Sequence, residues 1–428
     1  MLGLVLLIFG SIWLGLILRK RAISCRRIGR DEDRISALPD DLLLRILLFV
    51  PTEDAVSTMI LSKRWRSIWT MMPELDYKEI KYGTHKRIIG RLFGRPKSVW
   101  RFLSESMRLH KAPILENLAI ELGPHCPVDV DVGMWIANAV DRRVRNLGFG
   151  IKWSAGPISL PKSLYMCDTI VHLRLSDKVY VDVSSSPVCL PFLTSLELVS
   201  VVYKDEDSLV RLLSSCPILK SLYVMRHHED NVTKFNCWTQ SCSIENKPRL
   251  DNALIYIWFY PDEEFMRSLS SIMYLELNLS ALTVACCEAI KFSQLTECKI
   301  RPYNYDWFEP LVLLLQNSPK LKVLVIDQIY YRNEDFPLSW NQPSSIPECL
   351  SAYLEVFEWA GYGGTTEQKY MVSYIFANSK CLKRVGISLK STWKRKDRNK
   401  IMKELESMPR ISTSSQLLFS TQLKFKAN

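Results

Sequence analysis

LLSSCPILKSLYV (residues 212–224), LLQNSPKLKVLVI (314–326) and IFANSKCLKRVGI (375–387) carry one pattern to three separated places in the chain. In the first two, an apolar helical stripe leads in, Leu209, Leu212 and Leu213 or Leu311, Leu314 and Leu315. A turn follows, with Cys216-Pro217 in one and Ser318-Pro319 in the other. All three blocks then run apolar, two others, apolar, one other, apolar: Leu219/Leu222/Val224, Leu321/Leu324/Ile326 and Leu382/Val385/Ile387. The last two positions alternate with period two, which predicts a short strand, and the first packs beneath it. One strand and one helix or irregular arc therefore make a unit.

The same spacing recurs from residue 115 onward, at Leu115/Leu118/Ile120, Val144/Leu147/Phe149, Ile170/Leu173/Leu175 and Leu193/Leu196/Leu198. It continues at Ile272/Leu275/Leu277, Leu295/Cys298/Ile300 and Leu354/Phe357/Trp359, with a weak copy, Leu250/Ala253/Ile255, in the one wide gap. Middle positions then lie 22 to 33 residues apart, the period of leucine-rich repeats. Units of this size bury their apolar edges only by stacking, so the expected body is a curved α/β solenoid.

Ahead of the repeats stands DRISALPDDLLLRILLFVPTEDAVSTMILSKRWRSIWTMMPELDY (33–77), which reads as three short helices. Pro39 starts the first, with Asp40 and Asp41 in its first turn, where acids suit the helix dipole. Leu42, Leu43, Ile46, Leu47 and Val50 fill one face while Leu44 and Leu48 leave the opposite face apolar, so two sides seek cover. Pro51 stops it, and Thr52 stands where it caps a second helix that carries Val56, Ile60 and Leu61 on one face. Ser62 precedes a third amphipathic turn, Lys63-Arg64-Trp65-Arg66 with Trp69.

This segment resembles the F-box of plant proteins, through Leu38-Pro39, Asp40, Leu42, Ile46, Leu47, Pro51, Ala55-Val56, Leu61-Ser62-Lys63-Arg64-Trp65 and Trp69. Where that family usually has Arg-Thr-Ser-Val ahead of LSKRW, this chain has Ser57-Thr58-Met59-Ile60, a loss of one surface cation. Three further stretches resemble the plant F-box/leucine-rich-repeat/FBD group. These are SVWRFLSESMRLHKAPILENLAIEL (98–122), VVYKDEDSLVRLLSSCPILKSLYV (201–224) and PECLSAYLEVFEWAGYGGTTEQKYMVSYIFANSKCLKRVGIS (347–388). In the first, Val99, Phe102, Leu103 and Met107 share a helix face.

The resemblance implies an F-box over 34–75, leucine-rich repeats over 98–342 and a repeat-like FBD segment over 343–419. It implies that Leu38, Pro39, Leu42, Ile46, Val56, Leu61 and Trp65 meet a Skp-type adaptor, which links to cullin. Several of these, Ile46 and Val56 above all, also read as the small unit's own core. The function implied is that of a non-catalytic, substrate-binding subunit of a ubiquitin ligase, with an unknown protein target on the repeats. A repeat module with no ligase role is the alternative.

The formal charge of +11 is not spread over the chain. Residues 19–30 hold six cations and no acid, and residues 380–410 hold eleven against Asp397, Glu404 and Glu406. The remainder is slightly acidic, so the repeats present no electrostatic footprint for nucleic acid. Twelve cysteines are scattered without C-x-x-C spacing, which reads as buried thiols in a reducing compartment, the cytoplasm or nucleus.

Residues 1–18 (MLGLVLLIFGSIWLGLIL) are uncharged and as a helix would span about 27 Å. Cations follow this run over the basic linker 19–33, an order opposite to that of a secretory signal. Two readings stand. One is a single anchor in the endoplasmic-reticulum membrane with the body in the cytosol; the other is a start of translation downstream.

Gly361, Gly363 and Gly364 lack a following Gly-Lys-Ser/Thr and read as a turn after a strand. His227-His228 are adjacent and point apart, a poor metal pair. No cofactor, metal or catalytic residue is expected. The run Lys390 to Lys403 reads as a solvated helix face.

Overall fold

The computed structural model describes Ile35 and residues 38–78, 99–123, 126–127, 130–152, 156–183, 187–204, 208–225, 250–256, 263–279, 290–302, 307–329, 342–390 and 395–419. The chain divides into two compact units, residues 1–49 and 50–428. The anchor expected over 1–18, the linker after it and His227-His228 all lie outside the described residues. Among the described residues no helix is long and apolar enough to cross a membrane.

The described part of the first unit is built around α1 (Asp40–Leu47). In the second unit α2 (Thr52–Ser57) and α3 (Lys63–Ile68) are followed by β1 (Glu74–Lys78), α4 (Val99–Leu109), β2 (Asn117–Leu122), α5 (Val132–Asp141) and β3 (Asn146–Ile151). From there the strands β5 (His172–Asp177), β7 (Ser195–Val199), β9 (Ser221–Met225), β10 (Asn252–Tyr256), β11 (Tyr274–Leu279) and β12 (Glu297–Pro302) succeed one another. They are joined by β13 (Val323–Asp327), β14 (Val356–Tyr362), β15 (Arg384–Leu389) and β16 (Gln416–Phe419). These thirteen form one sheet in the order β1-β2-β3-β5-β7-β9-β10-β11-β12-β13-β14-β15-β16, every pair parallel. The short β4 (Ile158–Ser159), β6 (Val179–Val181) and β8 (Val202–Tyr203) pair in a second parallel sheet. The helices between strands are α6 (Ser208–Ser214), α7 (Glu263–Ser268), α8 (Phe308–Gln316), α9 (Glu348–Ala352), α10 (Thr366–Asn378) and α11 (Arg395–Ser407).

The register is the one the repeats predict. Leu118 partners Leu147, Leu173 partners Leu196, Leu196 partners Leu222, and Leu324 partners Phe357, which in turn partners Val385. Each of these middle residues is almost wholly buried. The weak copy is a genuine unit, for Ala253 pairs with both Leu222 and Leu275. From β2 to β14, one carbonyl just before each strand of the long sheet accepts two N–H groups of the next unit. Glu116 O takes Arg145 and Asn146, Thr194 O takes Lys220 and Ser221, and Glu355 O takes Lys383 and Arg384. This repeated fork satisfies the backbone where the ladder begins, so every unit stacks in the same way.

The sheet also reaches one strand beyond the expected repeats at each end. Met72, Leu75 and Tyr77, the tail of the three-helix segment, obey the same spacing, and β1 pairs with β2 through Leu75 and Leu118. At the other end Leu417 of β16 pairs with Val385.

The glycine cluster is not one turn. Gly361 lies inside β14 with φ of 77°, at a register shift between Ala360 and Tyr362. A Cβ there would meet the Gln328 carbonyl at 2.9 Å, so the close approach of the preceding unit's backbone requires glycine. The turn itself falls at Gly363-Gly364. Thr365 then caps α10 by a full capping box with Gln368, whose Oε1 also accepts from Gly363 N. Gln368 and the buried Trp359 both donate to Gln328 Oε1. Trp359 sits against Trp307 and Tyr362 at ring distances of 5.8 and 5.1 Å. Residues 356–389 thus continue the solenoid.

Candidate docking surfaces

In the first unit, Pro39 holds extended backbone and its carbonyl accepts from Leu42 N and Leu43 N, which starts α1 without a side-chain cap. The helix buries Leu43 and Leu47, one turn apart. Leu42, Ile46 and Phe49 follow at i, i+4 and i+7 on another stripe. Leu42 is 39% and Phe49 74% exposed, Ile46 is half-buried, Leu38 is half-buried and Pro39 exposed. An apolar stripe left in water beside a buried one is the mark of a surface that waits for a partner.

In the second unit Thr52 does not cap α2. Pro51 holds the cap position, and Thr52 Oγ1, buried, accepts from Asp76 N at 2.8 Å, which ties the helix start to β1. Ala55 is buried, while Val56 is half-buried and Ile60 and Leu61 are exposed. Ser62 caps α3 by accepting from Trp65 N. Trp65, Ile68 and Trp69 are buried. Of the seven residues read as adaptor contacts, Trp65 is therefore the one the fold itself covers, at 5% exposure; Ile46 and Val56, read also as core, keep partial exposure.

The tail of this segment is fastened to the first repeats through His110, at the end of α4, a residue the sequence reading passed over. Its Nε2–H donates to Met72 O at 2.8 Å, and its Nδ1 accepts from Arg142 Nη1 at 2.8 Å. Arg142 also donates to His110 O, and Lys111 N and Ala112 N donate to Thr70 O. Burial pushes the imidazole down to about 4; the Met72 carbonyl opposes this and the Arg142 guanidinium adds to it. The ring is neutral at physiological pH, with its tautomer set by these two bonds.

The outer face of the long sheet carries the residues that the repeat pattern leaves free. Toward β2 and β3 they are small, Ala119 and Gly148. Arg174 and Glu197 pair across β5 and β7 at 2.8 Å, and Arg384 and Glu358 across β14 and β15 at 2.8 Å. Between them lies a denser cluster. Glu276 meets Lys299 at 2.8 Å and Arg301 at 3.1 Å, and Asp327 lies 3.5 and 3.7 Å from the same two cations. The two acids are 5% exposed, Lys299 14% and Arg301 30%. Burial works to raise the Glu276 carboxyl, but hydrogen bonds from Lys299 and Tyr256 and the two cations hold it below the ordinary carboxylate value. Arg301 lies over the Tyr256 ring at 4.5 Å, Tyr223 meets that ring edge-on at 5.6 Å, and Tyr274 donates to Glu276.

No group of three or more His, Cys, Asp or Glu side chains is placed to hold a metal among the described residues. Burial pushes the Cys216 and Cys349 thiols up to about 12 and raises Cys298, which leaves these three inert as nucleophiles.

Comparison with known proteins follows the same divisions. The F-box domain model matches residues 35–77, the LRR repeats of FBD-associated F-box protein At5g56370 match 132–265, and the FBD model matches 342–387. An Arabidopsis thaliana F-box/FBD/LRR-repeat protein, At1g22000, is 47% identical over 93% of this chain and 94% of its own length. The chain belongs to the F-box/FBD/LRR-repeat family. The FBD-associated F-box protein At1g05080 of the same plant is 44% identical over 91% of this chain and 97% of its own, and the F-box/FBD/LRR-repeat protein At4g26340 is 38% identical over 90% and 100%. The resemblance read from LSKRW and the repeats holds, and this is an F-box protein with a protein-interaction role. The FBD match covers β14, α10 and most of β15, so in this chain the FBD is a stretch of solenoid, paired in register on both sides.

Proposed function

We propose that this chain is the substrate-recognition subunit of a Skp–cullin–F-box ubiquitin ligase. The observation that carries the reading is the apolar stripe that starts on α1 of the matched F-box, where Leu42 and Phe49 are exposed and Ile46 is half-buried. Such a stripe costs solubility unless an apolar partner covers it. On this reading the F-box docks on the adaptor and through it on cullin, and the repeats hold the target. Ubiquitin transfer is then a matter of effective concentration, and no residue of this chain does covalent chemistry. On this reading the work is done in the cytoplasm or nucleus. The reading of residues 1–18 as a tether to the endoplasmic-reticulum membrane is tested by carbonate extraction of the full-length protein, since release from the membrane rejects it.

Docking is tested by calorimetry with the full chain and a purified Skp-type adaptor. Leu42→Asp and Phe49→Asp each lose at least tenfold in affinity, about 1.4 kcal/mol, without change in the repeats' circular dichroism. Wild-type affinity in both variants rejects the stripe as the docking surface. Failure of the wild-type chain to bind leaves the repeat-module alternative, with no ligase role.

A further inference from the structure

Among the described residues of the outer face, rings and charges gather most densely on β9 to β13. Other units fill the same positions with small residues or single ion pairs, and burying four charges stabilises a fold little, if at all. We propose that the outer face around Tyr223, Tyr274 and Arg301, laid over the buried Tyr256, is where the target is held, through an aromatic side chain flanked by a basic residue in an exposed target segment. This rests on the reading of the repeats as the target-binding body and deepens it.

The chemistry follows from what each group has left to offer. Arg301 turns Nη2 toward Glu276 and Nε toward Asp327. An acidic group approaching the guanidinium meets two carboxylates already in place. The guanidinium lies over the Tyr256 ring, and its side chain keeps 30% exposure. A planar cation and tyrosine ring edges suit an aromatic side chain, which stacks on the one and meets the other edge-on. Tyrosine and arginine are also the residues that dominate binding energy at protein interfaces.

Charge supplies the second half. Among the described residues Glu276 and Asp327 balance Lys299 and Arg301 in charge. Glu297 is exposed and pairs in register with Tyr274, next to the rings. Among the described residues of β9 to β13 it adds a negative charge beside this balanced set, and a lysine or arginine next to the aromatic side chain complements it. The patch is held in place before any partner arrives. Glu276 is fixed by Tyr274 and both cations, so docking orders few side chains.

The test titrates the full chain with fluorescein-labelled octapeptides of Gly and Ser that carry Lys-Trp, Asp-Trp or Lys-Ala at the centre. The Lys-Trp peptide binds at least about tenfold tighter than Lys-Ala and about threefold or more tighter than Asp-Trp. Tyr223→Ala, on the half-buried outer face, lowers affinity for Lys-Trp about tenfold, and Glu297→Lys reverses the preference between Lys-Trp and Asp-Trp. Thermal melting and adaptor binding of both variants match wild type, so failure here and failure of F-box docking are read separately. Equal binding of Lys-Trp and Lys-Ala, absence of binding by all three peptides, or indifference to Tyr223→Ala overturns the assignment. A preference for Asp-Trp in the wild-type chain overturns the charge argument.

Discussion

Lowering the pH from 7.5 to 5 should loosen the joint between the F-box tail and the first repeat, and His110 is the reason. Its folded pKa is about 4 against 6.5 for a free imidazole. The native state therefore binds fewer protons than the unfolded state between these values, and stability falls as pH falls through that window. Above pH 6.5 the contribution is fully present, and below 4 no more is lost. Integrated from pH 7.5 to 5, the loss is about 2 kcal/mol. The structure gives the cause: a proton on Nδ1 replaces the bond from Arg142 Nη1, at 2.8 Å, with two cations face to face. Hydrogen exchange of the peptide that holds Lys111 and Ala112 reports this opening, because both amides donate to Thr70 O. Corrected for intrinsic rates, its protection should drop about thirtyfold over this range. In His110→Gln, which cannot titrate, protection is lower throughout but flat with pH. A wild-type profile as flat as the variant's, or a variant that keeps the wild-type slope, would refute the argument.

Leu222→Asp places an unpaired carboxylate at a wholly buried position and should cost roughly 4 kcal/mol or more, whereas Ser221→Asp on the outer face should cost less than about 1 kcal/mol; equal melting temperatures would mean a wrong register. Gly361→Ala should destabilise by about 2 kcal/mol or more, through positive φ and contact with Gln328, while Gly148→Ala, whose Cβ meets only Ala119 at 3.9 Å, should be near neutral in chemical denaturation. Glu276→Met should destabilise by about 3 kcal/mol by leaving two largely covered cations to share Asp327 alone, and adding Lys299→Met should recover part of the loss; a double variant worse than the sum of the singles would reject the network as drawn.

Most of the solenoid was legible because its signal is a spacing. A buried residue every second position, returning after one arc, constrains sequence at Leu222 and Leu324 as strongly as it constrains structure. The first strand was missed because Met72, Leu75 and Tyr77 sit inside a segment with a stronger signal of its own, and one copy of a pattern beside LSKRW is easily absorbed by it. The role of Thr52 was misread for a similar reason. A threonine after proline has the form of a helix cap, yet its oxygen serves Asp76 N, twenty-four residues away, which no local rule foresees. Trp65 shows the converse limit: amphipathic spacing said that one face was apolar but not which face the unit would keep for itself. The outer-face cluster was illegible because Tyr256, Glu276 and Arg301 lie on three strands and obey no period.

The two working parts are less separate than their motifs suggest. From Thr52 onward the F-box helices run into β1, which is a full member of the long sheet, with Glu74 to Lys78 paired residue by residue to Asn117 to Glu121. Tyr77 reaches Ser106 of α4, and His110 returns to Met72. A solenoid needs a covered first unit, and here the cover is supplied by the segment that carries Val56 and Leu61, two of the residues proposed to meet the adaptor. At the far end, α11 lays the buried Ile401 and Leu405 against the core, turns Lys396, Lys400 and Lys403 to solvent, and leads into β16. The basic C-terminal run is thus the wet side of a terminal cap. The consequence for function is geometric. On the proposed reading, a target held on the outer face is fixed relative to α2 and α3 by a continuous ladder of backbone hydrogen bonds, and the span from one to the other is set by the number of units in the sheet.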